Sequence, residues 1–180
     1  GLLDSAVEIT DKFVDEGLIV RTSSRLVPTF ASAHKENTHP NYPLVVLVNR
    51  TSASASEIVA GALQDKQHNR AVLVGERTQG KGSVQGITGY PGGGAQLKYT
   101  MAYYHLPSGQ RVESQKSMKE QGRKDWGLTP DIELFLRSDE LRKILEVQRD
   151  NDVLVQANSG ERHESLKKRT LEETLAADPQ

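Results

Sequence analysis

Two short, unbroken apolar runs limit what this chain can fold into. Leu44–Asn49 reads LVVLVN and Ala71–Glu76 reads AVLVGE. Each is rich in β-branched residues and too short for a helix, the pattern of a strand buried on both faces. Between them, the stretch from about Ser54 to Lys66 repeats apolar residues at helical spacing, with Ile58, Ala62 and Leu63 inward. Strand, helix and strand in series predict a parallel crossover, because parallel strands cannot be joined by a tight turn. The predicted class is α/β.

The flanking sequence fits around that unit. Leu3, Ala6 or Val7, and Phe13 or Val14 recur at helical spacing from the first residues, so the chain reads as truncated at its N-terminus. Gly17–Arg25 reads as a turn into a strand and Phe30–Pro43 as a polar loop closed by prolines. Downstream, Leu97, Tyr99, Met101 and Tyr103 alternate on one face of a strand that turns at Pro107–Gly109. Leu128–Leu136 reads as a last strand, with Pro130 at its start. A helix is expected from Ser138, and beyond Asn151 the sequence becomes charged and weakly apolar. The expected organisation is a core over residues 1–137, followed by a helix and charged appendage over 138–180.

Bulk chemistry excludes more than it selects. Among 180 residues, 23 lysines and arginines stand against 24 aspartates and glutamates, which offers nucleic acid or an anionic membrane no attractive field. There is no cysteine, hence no disulfide framework or thiolate metal site. No apolar stretch approaches the ~20 residues of a membrane span.

Chemistry concentrates at two junctions. The first, Arg50–Leu63 (RTSASASEIVAGAL), crowds Thr51, Ser52, Ser54 and Ser56 between the first apolar run and the helix. Ser54 with Glu57 three residues on is a capping box, in which the serine oxygen accepts from the third helical N–H and the glutamate reaches back. A serine at a sharp strand-to-helix junction is also where a nucleophile gains from geometry, because the helix amides point at a developing oxyanion. Cap and nucleophile both fit. A nucleophilic serine needs a base. His34 and His39 fall in the polar loop, His68 follows the helix, His105 ends a strand and His163 lies in the appendage; each reads as a surface histidine.

The second junction is Gly75–Gln85 (GERTQGKGSVQ), where Lys81 lies between glycines. Gly75, Gly80 and Lys81 match most of the phosphate-loop pattern. Gly82 replaces the magnesium-binding hydroxyl, however, and the glycine-rich sequence that follows offers no helix to receive a phosphate. A lysine is a general base only as the free amine, which near neutral pH requires the ammonium to be destabilised by roughly 3 to 5 kcal/mol. Burial without a counter-ion supplies that order of effect. Gln85 can orient the amine without adding negative charge, and an exposed glycine turn explains the same residues equally well.

Taken together, LVVLVNRTSASASEIVAGALQD, AVLVGERTQGKGSVQ and GLTPDI resemble the C-terminal processing peptidases, or tail-specific proteases. The similarity runs from the first residue to about Leu136. It implies a spiral α/β core related to the crotonase and caseinolytic-protease superfamily, with a buried parallel sheet, helices and a hairpin. It also implies serine endopeptidase action on C-terminal tails through a Ser-Lys dyad and an acyl-enzyme. By this resemblance Ser54 is the nucleophile, Lys81 the base and Gln85 its support. The implied oxyanion donors are the N–H groups of Ala55 and Gly1, the latter matching the last glycine of an N-P-G-G motif. Asp65 matches an acidic position that matters in some members, with a helix-end role as the alternative. Ser52 and Ser56 are left to capping and local hydrogen bonding.

The family's PDZ domain has no counterpart here, and KQHNRA carries two extra residues between the serine and lysine motifs. The implied partners are proteins or peptides with accessible tails, without nucleic acid, metal or cofactor. The implied location of a bacterial member is the cell envelope or periplasm. Two other classes share the architecture: a non-catalytic tail-binding scaffold, and a crotonase-like acyl-thioester enzyme that would bind coenzyme A.

Overall fold

The crossover forms as the two apolar runs require. The structure is a computed structural model that describes residues 2–24, 28–36 and 38–152. In chain order its elements are α1 (Leu3–Asp11), β1 (Gly17–Ser24), β2 (Thr29–Ala33), β3 (Val45–Val48), α2 (Ala55–Gln64), β4 (Val72–Gly75), β5 (Ser83–Gly89), β6 (Gln96–His105), α3 (Gln115–Glu120), β7 (Ile132–Glu133) and α4 (Ser138–Asp152). The described residues divide into two units, one up to Phe135 and one from Leu136 onward.

In the first unit, β3 and β4 pair in parallel from Val45 opposite Val72 to Val48 opposite Gly75, and β7 adds in parallel beside β4. An antiparallel sheet in the order β2-β1-β6-β5 forms the other layer. Helix α2 supplies the core between them: Ala60, Ala62 and Leu63 are fully buried, together with Ile19, Val20, Leu73 and Tyr104. Its small residues permit close packing, since a Cβ on Gly61 would lie 2.7 Å from the Leu106 side chain.

Three expectations are corrected. Thr29–Ala33 is a strand rather than the start of a polar loop, because β1 offers it a complete antiparallel partner from Gly17 opposite Ala33 to Thr22 opposite Thr29. The last strand shrinks to Ile132–Glu133: Pro130 has no N–H for a ladder, and Leu128 is tied through both backbone groups to Thr78. Finally, β3 is buried on one face alone, with Val48 7% exposed but Leu47 79% exposed. No described element covers the other face.

The expected hairpin is corrected: β6 pairs with the strand before it, and past the turn at Pro107–Gly109 only a single bridge, His105 to Arg111, returns among the described residues. β5 and β6 pair from Ser83 opposite Tyr103 to Gly89 opposite Gln96, and Tyr90–Ala95 closes the turn. Leu97, Tyr99, Met101 and Tyr103 do share a face, but it is the exposed one; Ala102 and Tyr104 point to the core. The turn at Pro107–Gly109 forms beyond it, with Gly109 N–H donating to the Leu106 carbonyl at 2.8 Å. In the second unit, α4 begins at Ser138 as expected, and Glu140 accepts from Arg137 N–H at 2.7 Å. The charged sequence over 153–180 lies outside the described residues.

Candidate active site

The turn between β3 and α2 sorts its hydroxyls. Asn49 Oδ1 accepts from the Thr51 N–H and hydroxyl at 2.9 and 2.7 Å, and Ser52 Oγ accepts from Asn49 N–H at 3.1 Å. Thr51 and Ser52 therefore build the turn. Ser54 differs, with φ 58° and ψ −118°. An N-cap has extended backbone, whereas this conformation costs a side-chain-bearing residue on the order of 1–3 kcal/mol and persists only where its surroundings impose it. They do: Ser54 N–H donates to Glu57 Oε2 at 2.8 Å, and the Ser54 carbonyl accepts from Glu57 and Ile58 N–H at 2.9 and 3.1 Å and from the Tyr104 hydroxyl at 3.4 Å. Both contacts of the expected capping box are present, the one through the serine oxygen being the weaker. Glu57 N–H is taken by the Ser54 carbonyl, so its contact with Ser54 Oγ falls short of a cap hydrogen bond. Ala55 opens α2, and its N–H is among the amides with no acceptor inside the helix.

Glu57 does far more than cap. Its side chain has no exposure, and four donors converge on its carboxylate. Ser54 N–H and Lys81 N–H reach Oε2, each at 2.8 Å; Gly80 N–H and the Thr78 hydroxyl reach Oε1 at 2.7 and 2.5 Å. Two carboxylate oxygens offer about four acceptor sites, so the group is saturated. One buried side chain thus fixes the serine turn and the lysine loop to each other. Thr78 extends the latch by accepting from Leu128 N–H at 2.7 Å. Above it lies Tyr104, whose phenol is kept protonated, and so a donor, by burial and then by the neighbouring Glu57 charge.

The glycines around Lys81 serve the backbone. A Cβ on Gly80, whose φ is +84°, would lie 2.0 Å from the Glu113 carbonyl oxygen, and one on Gly82 would lie 1.9 Å from that of Val112. They let the loop press against the segment before α3 instead of closing over the amine. A cavity of about 340 Å³ holds the result: Ser54, Ala55, Lys81 and Gln85 all line it. The Lys81 side chain is exposed, and no hydrogen bond joins it to Ser54. The enclosed amine expected from the sequence is therefore not present in the free chain, because one side of the cavity is open to solvent.

Sequence comparison decides the lineage at this point. The model of peptidase family S41 matches residues 1–134, which contain both loops and Glu57. The chain belongs to that family. Its S41 relatives include a carboxy-terminal-processing protease of Bartonella bacilliformis, 44% identical over 135 residues that make up 73% of this chain and 28% of the relative. A carboxyl-terminal-processing protease of Picosynechococcus is 44% identical over 109 residues, 59% of this chain and 25% of its own. Among solved structures, a photosystem II D1 C-terminal processing protease is 35% identical and superposes with a TM-score of 0.60 over 74% of this chain and 31% of that one. The chain thus spans about a quarter to a third of these relatives. A peptidase structure from Parabacteroides merdae, 18% identical with a TM-score of 0.56, shares the α/β fold over 79% of this chain and 44% of its own.

Within this S41 core the other expected residues separate. Gly1 lies outside the described residues. Asp65 closes α2, where its carboxylate accepts from Gln67 and Ser108 N–H at 3.0 and 2.9 Å, and it does not line the Ser54 cavity. These contacts are the ones the helix-end alternative calls for. Among the described residues no histidine lines the cavity either. His68 bonds the Leu18 carbonyl at 2.7 Å and His34 pairs with Asp11. His105 is not a surface histidine: its Nδ1 is enclosed, and burial, then Arg21 and Arg111, hold its pKa below the ordinary value. His163 lies outside the described residues. Sequence reading missed Thr78, Tyr104 and the reach of Glu57, none of which a local pattern marks. No cluster of three metal-binding side chains, and no helix able to cross a membrane, occurs among the described residues.

Proposed function

We propose that residues 1–137 are the proteolytic core of a serine endopeptidase that cuts protein C-terminal tails, with Ser54 as nucleophile and Lys81 as base. The observation that carries this reading is the strained Ser54 backbone at a cavity shared with Lys81, both loops being held by Glu57. The names of the relatives support the tail as substrate. An envelope location belongs to the same proposal.

A peptide filling the cavity would cover the Lys81 amine, and contacts that are long in the free enzyme tighten in such complexes. Ser54 Oγ then attacks the peptide carbonyl carbon while the free amine of Lys81 takes the hydroxyl proton. The tetrahedral oxyanion accepts from Ala55 N–H and is favoured by the N-terminal end of α2. Collapse breaks the C–N bond, the Lys81 ammonium protonates the leaving amine, and the acyl group remains on Ser54. Water, deprotonated by Lys81, attacks that ester; the C–O bond to Ser54 breaks and the Lys81 ammonium returns the proton to Ser54 Oγ, restoring both groups. Gln85 shares the cavity and orients the amine without adding negative charge.

A fluorophosphonate probe tests the dyad, because it reacts only with an activated serine. Labelling should fall on Ser54, vanish in Ser54→Ala and drop at least a hundredfold in Lys81→Ala, with both variants folded. Undiminished labelling in Lys81→Ala would remove the lysine from the mechanism. A chain that binds tail peptides but never labels would be the scaffold.

A further inference from the structure

The cavity that holds Ser54 and Lys81 contains a second cation with no role so far. Lys98 stands on β6 opposite Ile87 of β5, and both residues line the cavity. A lysine on a sheet surface commonly faces an acid across the strand pair, where opposite charges stabilise each other. Here the facing residue is apolar. Among the described residues no aspartate or glutamate lines the cavity, whose remaining wall is largely Leu2, Leu3, Ile58, Val84 and Tyr104. Nor does Lys98 make an ion pair among the described residues. Neither lysine of this pocket has an acidic partner among the described residues, and Lys81 is committed to Ser54 in the proposed mechanism, which leaves Lys98 to meet an anion carried on a largely apolar ligand.

The sheet supplies a way to lay such a ligand down. β5 is one of the two edge strands of the four, and it begins at Ser83, two residues after Lys81. An extended peptide can add to a free strand edge through main-chain hydrogen bonds, with side-chain pockets choosing the sequence. From Ser83 to Ile87 is four steps of roughly 3.3 Å, about 13 Å, and an extended lysine shortens that by up to about 6 Å.

We propose that Lys98 anchors a substrate carboxylate lying about two to four residues from the bond that Ser54 cuts, on a peptide extended along the free edge of β5. The assignment rests on the proteolytic reading above and adds a specificity determinant to it. The carboxylate is either the α-carboxylate of the chain end or an acidic side chain; both present the same two oxygens to the ammonium.

Binding tests this without turnover. Dye-labelled decapeptides of one apolar sequence are titrated against the 180-residue Ser54→Ala chain by fluorescence anisotropy at about 25 mM salt. One peptide ends in a free acid, one in an amide, and one in an amide with glutamate near the end. The free acid or the glutamate peptide should bind about fivefold tighter than the plain amide, the scale of one exposed charge pair at low salt. The arm that gains identifies the source of the carboxylate. Lys98→Met should erase the difference, and so should 0.5 M salt. Equal affinities, a preference that survives Lys98→Met, or no binding by any peptide would each overturn the anchor. Fluorophosphonate labelling of Ser54, in chains that keep the serine, separates the two claims. A rate unchanged by Lys98→Met keeps Lys98 outside the chemistry, whereas a lost signal in that variant alone would overturn its role as an anchor. Failure to label in every chain would reject the nucleophile while leaving the binding result standing.

Discussion

Replacing Glu57 by glutamine keeps the side chain's shape and removes one acceptor. The glutamine oxygen can occupy the Oε2 position and still serve the Ser54 and Lys81 amides; its NH₂ then faces the Gly80 N–H and the Thr78 hydroxyl. The hydroxyl can rotate to accept, but the Gly80 N–H cannot. One buried donor is left unpaired, at a cost of about 1–3 kcal/mol. For a unit of this size that lowers Tm by roughly 3 to 15 °C. Glu57→Ala abandons all four donors, and at several times the single-donor cost it approaches the ~5–15 kcal/mol that holds a whole domain. Glutamine is therefore the informative variant. The glutamine NH₂ now opposes the Gly80 N–H and pushes on the loop that carries Lys81, and a misplacement of ~1 Å is worth about a hundredfold in rate. The assay is the rate of fluorophosphonate labelling at Ser54, measured at least 20 °C below the variant's own Tm, so that unfolding does not contribute. A folded Glu57→Gln chain that labels at the wild-type rate would refute the latch, and Glu57 would then be a helix cap and nothing more.

Four further substitutions probe the same architecture. Gly80→Ala should destabilise by roughly 2–4 kcal/mol in urea unfolding, because it adds a Cβ at positive φ and 2.0 Å from the Glu113 carbonyl, whereas Gly89→Ala, with nothing within 4 Å, should change stability by less than about 1 kcal/mol. Lys81→Arg should retain fold and cationic charge yet fail to label, because guanidinium does not give up a proton in the useful range; labelling would show that charge alone suffices. His105 binds its proton more weakly in the folded chain than in the unfolded one, chiefly through burial and then through Arg21 and Arg111, with Glu113 opposing. Its share of stability is complete above about pH 6.5 and is lost as pH falls through the folded value, so His105→Gln should flatten the urea midpoint between pH 7.5 and 5.5.

What could be read in advance divides by the range of the interaction. The crossover was legible because LVVLVN and AVLVGE declare their burial locally and parallel pairing permits one solution for the chain between them. Thr29–Ala33 was not: Thr29 and Phe30 favour strands but Ala31, Ser32 and Ala33 carry no such signal, and the strand exists because β1 pairs with it. Leu47 shows the opposite failure, since an apolar residue announces that burial is favourable without saying whether the layer that would bury it is present.

The site follows the same rule. Ser54 and Lys81 were found as types in particular neighbourhoods, and each neighbourhood had a bland explanation of equal local quality. The capping box and the latch use the same Glu57, and the first two partners, Ser54 and the helix, are the ones a local pattern can contain. Gly80, Lys81 and Thr78 lie 21 to 24 residues further on and reach the carboxylate only because β4 runs parallel to β3 and returns the chain to the same end of the sheet. Had the two strands been antiparallel, the loop after β4 would have emerged at the opposite end, and the same motifs would have remained a cap and a glycine turn. The topology converts two ambiguous segments into one site, which is why the fold had to be known before the glutamate could be understood.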